Sequence, residues 1–208
     1  GQGKPQGTLR VTAPPLFAGS LLSPIVSRFI NAYPDIQVEI IASRSRLDLI
    51  SEGLDLAIRA GQLTDSTLIC RPLKPLPQVL VASADYLHRK GFPSNPTDLM
   101  EHDLIVFNAH ASRQGVWHLN PKLNLMVNGR MGTSSYDQAL LGALGGSGIA
   151  LVPQFLAAEH IMVGRLLTLF EADVTTPLQL HLLYPERQLQ PARVTAFIEL
   201  LMMELGPS

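Results

Sequence analysis

Between Leu9 and Arg59 the chain switches repeatedly between two hydrophobic periods, and this alternation constrains the fold more than any other feature. Leu9-Arg10-Val11-Thr12-Ala13 alternates apolar and polar residues, as a half-buried strand does. Pro14-Pro15 stops it. Leu21, Leu22, Ile25, Val26, Phe29, Ile30 and Tyr33 recur at helical spacing and predict a helix over 18–33, which Pro34-Asp35 ends. Ile36 to Ala42 predicts a second strand. Leu47 to Glu52 predicts a short helix closed by Gly53, and Leu54 to Arg59 a third strand. The order β-α-β-α-β is that of a mostly parallel sheet with helices on its faces.

A second α/β segment follows. Leu68 to Leu73 comes first, with proline punctuation at Pro72, Pro75 and Pro77, and strands are predicted over Val79–Ala82, Leu104–Phe107, Val116–Leu119, Leu125–Met131, Ile149–Val152, Leu166–Phe170 and Leu178–Tyr184. Helices are predicted over Ala84–Lys90, Tyr136–Leu144 and Pro153–Glu159, with a helical turn at Thr97–Met100. Pro191 opens a last helix with Val194, Phe197, Ile198, Leu201, Met202 and Leu205 on one face. The expected organisation is a linker or tag remnant over 1–7, a first lobe of 8–81 plus 185–208, and a second lobe of 82–184. Val79–Ala82 and Leu178–Tyr184 are expected to be the two connections, with the last helix returning to the first lobe. Such an arrangement leaves a cleft at the carboxyl ends of the strands, where open α/β sheets bind ligands.

Composition narrows the function. Apolar residues make up 46% of the 208 and charged residues 16%, so the chain buries a substantial core. The formal net charge is −1, without the basic excess of a nucleic-acid reader. The single cysteine, Cys70, excludes an internal disulfide and fits a reducing cytoplasm. No apolar run reaches the roughly 20 residues a bilayer-spanning helix needs. The chain opens Gly1-Gln2-Gly3-Lys4 without Met or a signal peptide, and reads as a piece of a longer protein.

Four ordered stretches resemble the effector-binding domains of LysR-type transcription regulators. They are Gly7-Thr8-Leu9-Arg10-Val11, Phe29-Ile30-Asn31-Ala32-Tyr33-Pro34-Asp35-Ile36-Gln37-Val38-Glu39, Gly53-Leu54-Asp55-Leu56-Ala57-Ile58-Arg59-Ala60-Gly61, and Ala143-Leu144-Gly145-Gly146-Ser147-Gly148-Ile149-Ala150-Leu151-Val152-Pro153. Together they span nearly the whole chain. The resemblance implies an α/β, type 2 periplasmic-binding-protein-like fold, two Rossmann-like lobes joined by two crossover strands. It implies a cytoplasmic regulator whose DNA contacts belong to an upstream winged helix-turn-helix, and a small-molecule effector bound in the inter-lobe cleft. It also implies dimers assembling into tetramers, with helices 18–33 and 136–144 at the interface; core packing alone also accounts for those apolar stripes.

Three helix N-termini follow strands and offer backbone N–H donors: Pro14-Pro15-Leu16, Ser43-Arg44-Ser45-Arg46 and Thr133-Ser134-Ser135-Tyr136. Pro14, Pro15, Leu16, Ser43, Gly61, Thr133, Ser134, Ser135 and Tyr136 are the expected ligand contacts. The competing reading is that each hydroxyl caps its own helix. Family members sense small carboxylates or aromatic acids, and Arg44, Arg46 or Arg59 would neutralise such a group. Pro14-Pro15 departs from the family, which commonly places a Ser or Thr hydroxyl there; the departure makes that wall more apolar. Phe107, Trp117 and Tyr136 line either the cleft or the core.

Other chemistries find no motif. Gly142, Gly145, Gly146 and Gly148 do not form G-x-G-x-x-G after a strand and read as helix-ending glycines. There is no G-x-S-x-G elbow. The six histidines have no metal-ligand spacing, and His110 and His118 read as turn or surface residues. No carboxylate pair stands out for acid–base work. The expectation is therefore a binding domain and not an enzyme, with no cofactor or metal and no membrane contact. The main alternative is an extracytoplasmic solute-binding protein of the same architecture; a third is an enzyme such as a transferase on that fold.

Overall fold

A computed structural model describes residues 3–61 and 67–208; of the expected linker, Gly1 and Gln2 lie outside the described residues. Strand β1 (Gly7–Ala13) pairs parallel with β2 (Ile36–Ala42) and β3 (Leu56–Ala60). Gly7 thus belongs to the sheet, and its N–H donates to Asp35 C=O at 3.0 Å. On the other side β3 pairs antiparallel with β12 (Leu180–Tyr184), which pairs antiparallel with β4 (Ile69–Pro72). The sheet order is β2-β1-β3-β12-β4, mixed and not mostly parallel, because β12 enters from the far end of the chain running the opposite way.

The first helical segment begins earlier than residue 18. α1 (Pro15–Phe17) carries proline at its first position, where the missing N–H has no intrahelical partner to lose. It continues through a π-helical turn, Ala18–Leu22, into α2 (Ser23–Ala32). Two hydroxyls back-bond across this join, Ser20 to Leu16 C=O at 2.6 Å and Ser23 to Ala18 C=O at 3.1 Å. Ile25, Val26 and Phe29 face the core. Phe29 meets Phe197 of α6 (Ala192–Leu205) edge to face, centroids 5.1 Å apart, so the last helix completes this first unit. The ion pair Arg28–Glu204 lies beside that contact.

Leu47–Glu52 is not a helix. Asp48 Oδ1 accepts from the N–H groups of Ile50 at 3.0 Å and Ser51 at 3.3 Å, and the segment closes as turns ending at Gly53 with φ +65°. An Asp side chain that captures the following N–H groups competes with helix propagation. The buried Asp55 ties β3 to β1, its carboxylate accepting from Arg10 N–H at 2.9 Å while its own N–H donates to Arg10 C=O at 2.8 Å.

The second unit holds a five-stranded sheet in the order β11 (Leu167–Leu169), β5 (Gln78–Ala82), β10 (Ile149–Pro153), β6 (Leu104–Phe107), β9 (Met131–Thr133). β6, β9 and β10 are parallel, while β5 and β11 extend it by antiparallel pairing. α4 (Tyr136–Leu144) packs on the face carrying Ile105, whose side chain approaches Gly142. The opposite face is covered by a hairpin, β7 (Gln114–Asn120) and β8 (Leu123–Asn128). Its buried residues Trp117, Leu119, Leu125 and Val127 form one core with Leu104 and Val106. The single strand expected over 125–131 is β8 and β9 separated at Gly129, where any Cβ would lie 2.6 Å from Leu104 C=O. α3 (Ala84–Lys90), capped by Ser83, and α5 (Gln154–Met162) complete the unit, with a 3₁₀ turn at Pro96–Glu101. The glycine run after α4 ends that helix: Gly145 N–H donates to Leu141 C=O at 2.9 Å and Gly146 sits at φ +78°.

The first unit comprises Gly1–Pro75 and Gln179–Ser208, the second Leu76–Leu178. The chain therefore passes between units before Val79 and before Leu180. β5 and β12 are members of one sheet each, not connecting strands, and the boundaries fall a few residues ahead of 81 and 184.

Candidate functional site

In the second unit, Phe107 and Thr133 stand at the carboxyl ends of neighbouring parallel strands. Gln78 reaches the same edge because β5 runs the other way and opens there, opposite Pro153. Ser135 is the N-cap of α4, its hydroxyl accepting from Gln138 N–H at 3.4 Å. The buried Thr133 hydroxyl donates to Gln138 Oε1 at 2.6 Å and accepts from Ser135 N–H at 3.1 Å. These two hydroxyls thus organise the start of α4; Ser134, between them, is half-buried. Tyr136 stacks on Phe107, ring centroids 3.8 Å apart and planes 15° apart. Burial pushes the Tyr136 phenol well above its ordinary titration range, so it stays neutral.

Beside this stack is a cavity of about 150 Å³ lined by Gln78, Phe107, Val116, Trp117, His118, Tyr136 and Leu151. His118, within β7, lines the cavity, while His110 is exposed and its backbone N–H donates to Asn108 Oδ1 at 3.1 Å. His118 Nδ1 lies 2.7 Å from Asn124 Oδ1. Sequence reasoning missed Gln78, Val116 and Leu151. A polar residue opening an apolar strand was the available signal for Gln78; which way β5 runs was not.

In the first unit, the carboxyl ends of β1, β2 and β3 bring Pro14, Ser43 and Gly61 to one sheet edge. Pro14 caps α1, with its C=O accepting from Ala18 N–H at 2.8 Å; Pro15 is exposed and Leu16 half-buried. Ser43 donates its N–H to Ala13 C=O at 2.9 Å, and its hydroxyl accepts from Ser45 N–H at 3.1 Å. Gly61, at φ +81°, donates to Gln179 C=O at 3.0 Å. Arg44 and Arg46 are exposed. Arg59 is 6% exposed, and its guanidinium donates to Ser45 C=O and Ile58 C=O, both at 3.0 Å. It fastens the Ser43–Arg46 loop to β3. Burial, then the charge of Arg46, lowers its pKa from the ordinary arginine value. Among the described residues no group of three or more His, Cys, Asp and Glu is placed to hold a metal ion.

Two α/β units, each a mixed five-stranded sheet with chemistry-bearing loops at the carboxyl ends of its parallel strands, define a ligand-binding domain of the type 2 periplasmic-binding-protein-like class. The comparisons agree. The LysR substrate binding domain family matches residues 2–206. The chain is 32% identical over 197 residues to the uncharacterised HTH-type transcriptional regulator YhjC of Escherichia coli, covering 93% of this chain and 66% of that protein. The regulatory domain of CrgA, a LysR-type regulator from Neisseria meningitidis, superposes with a TM-score of 0.82 at 28% identity, covering 97% of this chain and all of that one. The full-length Vibrio cholerae virulence activator AphB gives 0.82 at 26% identity, covering 96% of this chain and 69% of that one. This chain belongs to the LysR substrate-binding-domain family and is a regulatory, effector-binding domain. It spans about two thirds of the curated relatives' length (66% of YhjC), and those relatives are transcription regulators rather than solute-binding proteins or enzymes.

Proposed function

We propose that this chain is the sensing part of a cytoplasmic DNA-binding transcription regulator without catalytic activity of its own. A small-molecule effector binds at the carboxyl ends of the parallel strands. In the second unit the expected contacts are Phe107, Thr133, Ser134, Ser135 and Tyr136. In the first they are Pro14, Pro15, Leu16, Ser43 and Gly61, with Arg44 and Arg46 for any carboxylate; Arg59 acts indirectly, by holding the loop that carries them. The observation that supports this best is the convergence of Phe107, the Thr133–Tyr136 segment and an adjoining cavity on one sheet edge. The DNA contacts belong to a winged helix-turn-helix upstream of this domain, which fits a net charge of −1. Self-association uses the apolar stripes of α2 and α4.

The effector acts by binding one state of the intact regulator better than another, which ties ligand affinity to DNA affinity. The test is the DNA affinity of the intact gene product with and without effector, by fluorescence anisotropy. A change of about 5–150-fold is expected for ordinary coupling. An upstream coding sequence with no helix-turn-helix, or an effector that binds yet leaves DNA affinity unchanged, refutes the reading.

A further inference from the structure

Among the described residues, every one that lines the cavity beside β7 carries a neutral or weakly basic side chain. Phe107, Val116, Trp117, Tyr136 and Leu151 supply apolar wall, while Gln78 and His118 supply the polar atoms. Among the described residues no Lys, Arg, Asp or Glu lines it. An engineered apolar cavity of about 150 Å³ holds benzene, and drug-sized sites run to roughly 300–1,000 Å³. The cavity here is about 150 Å³, the size of one ring with small substituents. The Phe107–Tyr136 stack, planes 15° apart, forms part of its wall. Gln78 brings a donor and an acceptor to one wall, its Nε2–H group donating to Thr176 C=O at 3.3 Å. His118 Nδ1 is engaged by Asn124 Oδ1 at 2.7 Å, which leaves Nε2 as the ring nitrogen open to a ligand.

We infer that this cavity is a binding site for an uncharged, single-ring aromatic group carrying a hydrogen-bonding substituent such as an amide or hydroxyl, and that it discriminates against the matching carboxylate. The inference rests on the effector-binding reading and narrows it. Among the described residues a carboxylate here meets no Lys or Arg, whereas an amide of the same shape exchanges hydrogen bonds with Gln78.

The molecule carries its own reporter: Trp117 is the single tryptophan, is buried, and lines the cavity. The experiment titrates the 208-residue chain with benzamide and with benzoate, following Trp117 emission and its indole N–H resonance. Benzamide is expected to give a saturable change, with benzoate at least tenfold weaker on the cost of burying an unpaired carboxylate. Val116→Phe, at a side chain 45% exposed, is expected to abolish the benzamide response while leaving the melting temperature within a few degrees. Benzoate binding as well as benzamide, no Trp117 response to benzamide, or a response that survives Val116→Phe overturns the assignment. Melting the same samples with small carboxylates separates the two ideas. Stabilisation by a carboxylate with a silent Trp117 overturns this site and leaves the sensing function intact; no stabilisation by any ring or carboxylate counts against both.

Discussion

Replacing Thr133 by Val keeps the shape of a buried side chain and removes only its hydroxyl. That hydroxyl donates to Gln138 Oε1 at 2.6 Å and accepts from Ser135 N–H at 3.1 Å. Gln138 is exposed, so water replaces the lost donor at little cost. Ser135 N–H is half-buried at the first turn of α4 and has no equal substitute. One net hydrogen bond and one partly desolvated donor amount to about 1–2 kcal/mol. In urea, with m near 2 kcal/mol/M, the midpoint falls by about 0.5–1 M at unchanged m. A double-mutant cycle with Gln138→Ala isolates the side-chain pair and is expected to give a coupling of about 0.5–1 kcal/mol. An unchanged midpoint, or a coupling near zero, refutes the reasoning.

Gly132→Ala places a Cβ 2.7 Å from Ser112 C and 2.8 Å from Arg113 N, backbone that cannot yield, and is expected to cost about 2–3 kcal/mol in the same denaturation assay. Phe197→Ala removes a fully buried ring from its edge-to-face contact with Phe29; calorimetry is expected to show a loss of about 3–5 kcal/mol, and a loss below about 1 kcal/mol would place the last helix elsewhere. Burial raises the Tyr136 pKa above its unfolded value near 10, so the unfolded chain loses that proton first as pH rises. Its contribution is fully present below about pH 10 and fades above it, by about 1.4 kcal/mol per pH unit; Tyr136→Phe flattens that part of the alkaline loss in urea melts run from pH 9 to 11.

Legibility in the sequence followed the range of the interactions. α4 and β2 are set by their own periodicity, and the predicted spans 136–144 and 36–42 match. Ser135 signals its N-cap role locally, as does the glycine run after α4. The misplacements have identifiable physical causes. Asp48 redirects Leu47–Glu52 into turns through side-chain hydrogen bonds that hydrophobic spacing does not register. The direction of β12 depends on partners more than a hundred residues away, so a mixed sheet looked parallel from its first half. For the site, aromatic residues read equally well as core or cleft, and the Phe107–Tyr136 stack is both: the rings pack on each other and line the cavity. The burial of Arg59 is not signalled by its strand position; its guanidinium donates to the carbonyl of Ile58 in its own strand and to that of Ser45 in the neighbouring loop. Gln78 became visible only through the antiparallel entry of β5.

The central claim, that this domain binds a small molecule at the strand ends of its α/β units, is tested most directly by melting the 208-residue chain against a library of small metabolites. A true effector at about 100 times its dissociation constant adds roughly 2.7 kcal/mol. That gain is predicted to shrink, relative to the variant's own baseline, in Thr133→Ala plus Ser134→Ala. A library in which nothing moves the transition, or a ligand whose full effect persists in that double variant, contradicts the account.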